Sequence, residues 1–457
     1  MTQKRKLVHD VYIVDGSRSP FLKAKGKPGP FTAANIAIAA AKPLLARMPF
    51  EATDIDEVIA GCVMPGPEEV NIARVVALRL GCDQHVPAWT VQRNCASGLQ
   101  AIDSAAMNIA SGRSNLVLAG GIEAMSHAPV LLAQSMVQWL GAWMRAKTLG
   151  QRVKTLAQLR PAYLKPVIGL LKGLTDPVVG LSMGQTAEIL ADRFNISREA
   201  MDDYAVRSHH RLANAIDQGW LPEVETIYDT NGHYYKEDDG LRRDSDMQAL
   251  AKLKPVFDRP FGKVTAGNSA QVTDGAAWLV LANEATVKKF DLPVLGKIID
   301  SHWAALDPAQ MGLGPVHAMT PVLKRHKLQL KDVDYWEINE AFACQVLANI
   351  EAWKDARYCR EQLHTAKAFG ELDQERLNVD GGGVSLGHPV GASGARIVLH
   401  LLHVLKRNNA KRGMASLCIG GGQGGAMLVE NYSFNNNAAD NNSADNHAVE
   451  NDVPDNT

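Results

Sequence analysis

Residues 94–121 read NCASGLQAIDSAAMNIASGRSNLVLAGG, and residues 387–418 read GHPVGASGARIVLHLLHVLKRNNAKRGMASLC. Each stretch opens on a turn that carries a reactive side chain, Cys95 in the first and His388 in the second. Each then runs through a helix that starts almost free of side-chain bulk and ends in a strand. The helices are expected from about Gly98 to Ala110 and from about Ala392 to Leu405, and the strands over Leu116–Gly121 and Met414–Cys418. In the second helix Ile397, Val398, Leu401, Leu402 and Leu405 share one broad apolar face, which predicts packing on the second sheet.

Working outward, the same order of elements precedes both stretches. A β-branched run Val11-Tyr12-Ile13-Val14, a helix from about Thr32 to Leu45 and a strand Glu57–Gly61 lead to the Cys95 turn. Val294–Ile299, a helix near Pro315 to Arg325 and a strand Asp334–Ile338 lead to the His388 turn. Strands alternating with helices at this pitch predict two related α/β halves, 1–290 and 291–430, each with a mainly parallel sheet covered by helices. The region from about 127 to 265 fits neither repeat and reads as an insertion, mostly helical with loops. Asn431–Thr457 is rich in Asn and Asp, has no Lys or Arg and offers little to bury, so a disordered tail is expected.

With 457 residues and 46% hydrophobic content the chain is long enough to bury a large core or two similar ones. A formal net charge of -1 gives no global attraction to nucleic acid, so no nucleic-acid partner is expected. The six cysteines (62, 82, 95, 344, 359, 418) form no C-x-x-C pair and no regular spacing, which argues against a metal site or a disulfide framework and for a reducing compartment. The basic N-terminus lacks an apolar stretch of signal-peptide length, and no later stretch reaches transmembrane length; the cytoplasm is the expected location. One local anomaly stands out. From His127 to Thr175 there is no Asp or Glu, while Arg145, Lys147, Arg152, Lys154, Arg160, Lys165 and Lys172 are basic, and Trp139 and Trp143 share a helix face with Met136 and Leu140. The segment reads either as a solvated cap over an active-site mouth or as a patch for an anionic membrane surface or acidic partner.

Four loops carry the chemistry. Cys95 precedes a helix, where unpaired N–H groups and the helix dipole would stabilise a thiolate and lower the thiol pKa. His388 sits between Gly387 and Pro389; the proline disfavours helical geometry and leaves the imidazole free to reach another loop and accept a thiol proton. Cys418 ends a strand ahead of the run Gly420-Gly421-Gly422-Gln423-Gly424-Gly425, which lacks the Lys-Ser/Thr of a phosphate loop and reads as a tight turn whose N–H groups can hold a developing oxyanion. Asn339 follows a strand and either holds a water or carbonyl oxygen or caps a helix.

Together these loops resemble the thiolase family over about residues 8–430. The motifs are Asn94-Cys95-Ala96-Ser97-Gly98, Gly120-Gly121-Ile122-Glu123-Ala124-Met125-Ser126, Asn339-Glu340-Ala341-Phe342, Gly387-His388-Pro389 with Gly391-Ala392-Ser393-Gly394, and Cys418-Ile419-Gly420-Gly421-Gly422. The resemblance implies a thiolase-like α/β fold, two duplicated mixed-sheet halves packed in layers, with an inserted helical loop region. It implies an acyl-CoA C-acyltransferase that cleaves 3-ketoacyl-CoA with coenzyme A in fatty-acid β-oxidation. Cys95 would carry the acyl group, His388 activate it, Cys418 move the α-carbon proton, and Asn339 and Gly420 help stabilise oxyanions. Segments similar to those bordering the family's coenzyme A channel place Arg242, Phe257, Ser182, Met183, Ala266, Ser269 and Phe342 along the substrate, with Arg243 an equal alternative to Arg242. No metal and no bound cofactor are implied; coenzyme A is a co-substrate. The insertion near 130–180 is similar to the β-subunit branch of the fatty-acid oxidation complex, which implies a homodimer or tetramer and a hydratase/dehydrogenase α-subunit as partner; peripheral membrane contact through 136–172 is expected from its basic and apolar residues. The competing activities are an acetoacetyl-CoA-forming acetyl-CoA acetyltransferase and, more distantly, a β-ketoacyl synthase.

Overall fold

The computed structural model of the chain describes residues 9–432. The expected tail lies outside the described residues from 433 onward, but its first residue does not belong to it: Asn431 is buried and pairs with Gly296 as the last residue of a strand. Ten strands form one sheet: β1 (Tyr12–Arg18), β2 (Leu22–Lys23), β3 (Glu57–Gly61), β4 (Ala88–Val91), β5 (Leu116–Ala124), β6 (Thr273–Ala282), β7 (Gly296–Ala305), β8 (Tyr335–Ile338), β9 (Arg412–Ile419) and β10 (Gln423–Asn431). The order is β8-β9-β10-β7-β1-β6-β5-β3-β4, with β2 beside β6. The two halves join where Tyr12 and Ile13 of β1 pair with Lys297 and Gly296 of β7.

The expectation of mainly parallel pairing is corrected. Only β3–β4, β3–β5 and β8–β9 run parallel; β1–β6, β1–β7, β5–β6, β7–β10, β9–β10 and β2–β6 are antiparallel. Helical crossovers return the chain in the same direction, but β9 and β10 are joined by the three-residue turn Gly420–Gly422, which is too short for a crossover and forces a hairpin. Gly421 and Gly422 have φ of 91° and 74°, the left-handed region that glycine enters without steric cost.

Strand alternation sorts the core into layers. Helices α1 (Ala33–Ala46) and α2 (Ile72–Arg79) cover one outer face, where Leu116 and Leu118 of β5 and Trp278 and Val280 of β6 point. Their neighbours Val117, Ala119, Leu279 and Leu281 point the other way, into a central core with α3 (Ser97–Ala110). In the second half Met414 and Leu428 face an outer core with helices Gly314–His326 and Ala343–Lys354, whereas Ala415, Leu417, Met427 and Val429 face the central core.

The helix Ser393–Arg407 therefore lies in the central core, not on the second sheet alone. Its apolar residues Ile397, Val398, Leu401, Leu402 and Leu405 are all buried with residues of both halves, and nearly the whole helix is enclosed. Small residues permit this. A Cβ on Gly98 would lie 2.7 Å from the carbonyl oxygen of Gly391, and one on Gly394 would lie 2.5 Å from the Leu99 nitrogen. The starts of the two central helices thus touch backbone to backbone, which brings the Cys95 and His388 turns to one place.

The insertion carries α4 (Gln134–Arg145), α5 (Leu149–Ala157), α6 (Gly169–Gly173), α7 (Met183–Arg193) and α8 (Arg198–Asp217), with short strand pairs such as Val130–Leu131 with Val167–Ile168. Trp139 and Trp143 stack at 5.7 Å, and Trp139 Nε1 donates to the Thr155 carbonyl at 2.8 Å. Met136 and Leu140 are half-buried beside the tryptophans, while Val137 and Met144 are exposed. Among the described residues no helix is long and apolar enough to cross a membrane.

Candidate active site

The site forms where three turns converge. Asn94 holds a left-handed φ of 44°, a conformation asparagine tolerates better than most residues, and its Nδ2 donates to the Gly420 carbonyl at 2.7 Å. That bond ties the Cys95 turn of the first half to the glycine turn of the second. Cys95 is half-buried one residue ahead of Ala96, the N-cap of α3. The expected lowering of its pKa is corrected: burial pushes the thiol up, against the N–H groups of Gly420 and of Cys95 itself, which pull it down. Desolvation of the thiolate outweighs the helix terminus, so the resting group is a thiol that needs a base.

His388 is buried, and its Nδ1 lies 2.6 Å from Ser393 Oγ. The Ser393 hydroxyl donates to the Pro389 carbonyl at 3.1 Å, so the imidazole is assigned as donor from Nδ1 and presents a bare Nε2. Asn339 Nδ2 sits 3.4 Å from that Nε2. Burial first, and the charge of Arg396 second, lower the imidazole pKa to about 4. A neutral histidine results at neutral pH, its unprotonated Nε2 accepting from the Asn339 amide.

The two readings of Asn339 are now separable. The following helix starts at Ala343 with Phe342 as its N-cap, so Asn339 caps nothing. Its Oδ1 is buried without a hydrogen-bond partner among the described residues, and Glu340 beside it is fixed by Tyr204 and Ser208 at 2.9 and 2.7 Å. Cys418 is fully buried in β9, and burial, followed by the nearby Cys95, holds its thiol well above the usual range.

Cys95, His388 and Cys418 line one cavity of about 290 Å³, together with Ser182, Met183, Phe257, Ser269 and Phe342. A larger cleft of about 670 Å³ shares Phe257, Ser269, Ala270, Gln271 and Val272 with it and extends past Ala266 to Arg242 and Lys23. Of the two neighbouring arginines only Arg242 lines this cleft; Arg243 forms an ion pair with Asp217 at 2.9 Å. Ser182 reaches the cavity wall, but its hydroxyl is engaged in the capping box of α7, accepting from Gln185 N at 3.3 Å.

Sequence reasoning missed three contributors. Ser393 orients the imidazole; its place five residues after His388, in the first turn of a helix, was the available signal. Met125 lines the catalytic cavity. Glu123 is buried and its carboxylate accepts N–H groups from Val63, Met64 and Gly391, each at 3.0 Å, clamping the loop after β3 to the turn behind His388. Its burial pushes the carboxyl up to about 7. Glu123 was visible as an acidic residue inside an otherwise apolar strand, which marks a buried polar group with partners.

Comparison with known proteins agrees with this fold. The model of the thiolase N-terminal domain matches residues 11–285 and that of the thiolase C-terminal domain residues 292–431. A 3-ketoacyl-CoA thiolase of Yersinia pestis (strain Pestoides F) is 36% identical over 423 residues, covering 92% of this chain and 96% of its own. Among solved structures, acetyl-CoA acetyltransferase of Bacillus anthracis is 37% identical with a TM-score of 0.80, over 93% of this chain and 100% of that one. Human mitochondrial 3-ketoacyl-CoA thiolase in complex with CoA is 35% identical with a TM-score of 0.79, over 93% and 98%.

Proposed function

The chain belongs to the thiolase family, and on that premise we propose how its own residues cleave a 3-ketoacyl-CoA with coenzyme A. It is an acyl-CoA C-acyltransferase with the activity of fatty-acid β-oxidation, and coenzyme A enters as a co-substrate. The observation that carries the assignment of roles is the cavity shared by Cys95, His388 and Cys418, continuous with a cleft that ends at Arg242.

His388 Nε2 takes the Cys95 proton, and the thiolate adds to the 3-keto carbon. The carbon–carbon bond then breaks; its electron pair leaves with acetyl-CoA as an enolate, which takes the Cys418 proton at its α-carbon. The acyl group stays on Cys95. The Cys418 thiolate takes the thiol proton of coenzyme A, whose sulfur attacks the acyl carbon; the Cys95–acyl bond breaks, the shortened acyl-CoA leaves, and Cys95 takes back the proton held by His388. Oxyanions form on the keto oxygen and on the thioester oxygens. The N–H groups of Cys95 and Gly420 serve one, and protonated His388 with Asn339 serves the other. Arg242 meets the charged end of coenzyme A, while Phe257, Met183, Ala266, Ser269 and Phe342 flank its arm; Ser182 contributes through α7 and not through its hydroxyl.

The test is direct. Purified protein given a 3-ketoacyl-CoA and coenzyme A should release acetyl-CoA. Consumption of a malonyl thioester without that release would point to a β-ketoacyl synthase instead.

We assign the segment 136–172 to peripheral contact with an anionic bilayer in preference to an acidic subunit. Exposed Val137, Met144, Leu149, Val153, Leu156 and Leu164 lie among the exposed cations Arg145, Lys147, Arg152, Lys154, Arg160 and Lys165, a pairing of apolar and basic groups suited to a lipid interface. Reversing the charge at Arg145, Lys147 and Arg152 is expected to abolish flotation with anionic liposomes; undiminished flotation rejects the assignment, and lost co-purification with a hydratase/dehydrogenase α-subunit would favour the subunit. A homodimer or tetramer in the cytoplasm completes the proposal.

A further inference from the structure

Two backbone N–H groups, those of Cys95 and Gly420, act on the Cys95 sulfur. They stand beside the oxygen of any acyl group carried there, and the enolate oxygen falls to His388 with Asn339. Such donors are effective only when they are fixed in direction before the charge appears. Yet neither lies inside a regular element. Cys95 precedes α3, and Gly420 opens the turn between β9 and β10, where Gly421 and Gly422 follow at left-handed φ. A turn of three glycines has no side chains with which to hold itself.

Asn94 touches both. The peptide joining Asn94 to Cys95 carries the Cys95 N–H on one side and the Asn94 carbonyl on the other, and that carbonyl accepts from Ser97 Oγ at 2.7 Å and from Ser97 N at 3.1 Å. Ser97 is fully buried, and its hydroxyl also accepts from the Arg93 N–H at 2.8 Å. Across the fold, Asn94 Nδ2 donates to the Gly420 carbonyl at 2.7 Å; a carbonyl only accepts, so the amide nitrogen must face it. We propose that Asn94 is a positioning residue for acyl transfer, its side chain keeping Gly420 against the Cys95 turn while its own carbonyl, anchored by Ser97, aims the Cys95 N–H. The inference rests on the thiolysis reading and adds the residue that assembles its two donors from opposite halves of the fold. A left-handed φ of 44° would be met by glycine as well, but the amide bond to Gly420 would not. That difference separates a backbone role from a side-chain role.

Asn94→Gly is the test, since it keeps the left-handed backbone and deletes the amide. Its kcat for thiolysis should fall about tenfold or more, short of the roughly 10² to 10³ lost with a donor itself, while KM for coenzyme A stays within about twofold. The α-proton step gives a second readout. Once acetyl-CoA has loaded Cys95 to completion, exchange of acetyl-CoA α-protons with deuterated water depends on Cys418 and on His388 with Asn339, and should match the wild type. Ser97→Ala releases the other anchor and should show the same split, so the test survives failure of either variant to fold. Thiolysis unchanged in both variants, or thiolysis and exchange falling together, would overturn the inference. A wild-type enzyme that neither exchanges these protons nor cleaves a 3-ketoacyl-CoA would refute the thiolysis reading, and this inference with it.

Discussion

Replacing Cys95 by serine is expected to lower thiolysis by about 10⁴-fold or more, the range seen when a covalent nucleophile is removed from a site whose parts act as a unit. The change is one atom in a half-buried position, so folding should be unaffected. The chemistry explains the size of the effect. Burial already raises the Cys95 thiol above its ordinary value, and a hydroxyl in the same place would be far harder to ionise. Incubation with an acyl-CoA should load the wild-type chain with one acyl group, visible as a mass increase, and leave Cys95→Ser unloaded. A loaded or fully active serine variant would remove Cys95 from the mechanism.

His388→Ala should cost about 10² to 10⁴ in kcat, the contribution of a positioned general base. The pH dependence carries the sharper reading. The imidazole pKa falls from 6.5 to about 4, so the base form persists as pH drops through 6.5. The acid limb of kcat/KM is therefore expected near pH 4 to 5, and the alanine variant should lack it. An acid limb centred at 6.5 in the wild type would contradict the buried, neutral imidazole. Stability moves in the same direction. Between pH 6.5 and about 4 the unfolded chain binds a proton at this histidine that the folded chain refuses, so the contribution is complete above 6.5 and is lost on acidification by up to about 1.4 kcal/mol per pH unit.

Much of this was legible in the chain. The repeat of turn, small-residue helix and strand around Cys95 and His388 announced two α/β halves, because strand and helix periods are written in local apolar spacing. The small residues around 98 and 394 marked two helix starts free of side-chain bulk, and the fold brings those starts together. Less legible were strand direction and register. Nothing local in β1 or β6 says that they run antiparallel, since pairing across the long insertion is decided by which faces can be buried together. Ser393 and Glu123 escaped for a related reason: their roles depend on partners five and at least fifty-nine residues away, and no periodicity links them.

The sequence by itself determined the family chemistry: a thiol before a helix, a histidine before a proline, a second thiol before a glycine turn. Each of these is set by short-range backbone geometry, and so can be read from a few consecutive residues. Only the tertiary structure decided the protonation states, the exclusion of Asn339 from a cap and the choice of Arg242 over Arg243. Those properties depend on how much water is excluded and which distant groups face each other. Desolvation and cavity shape are sums over the whole fold, and no single stretch of chain contains them.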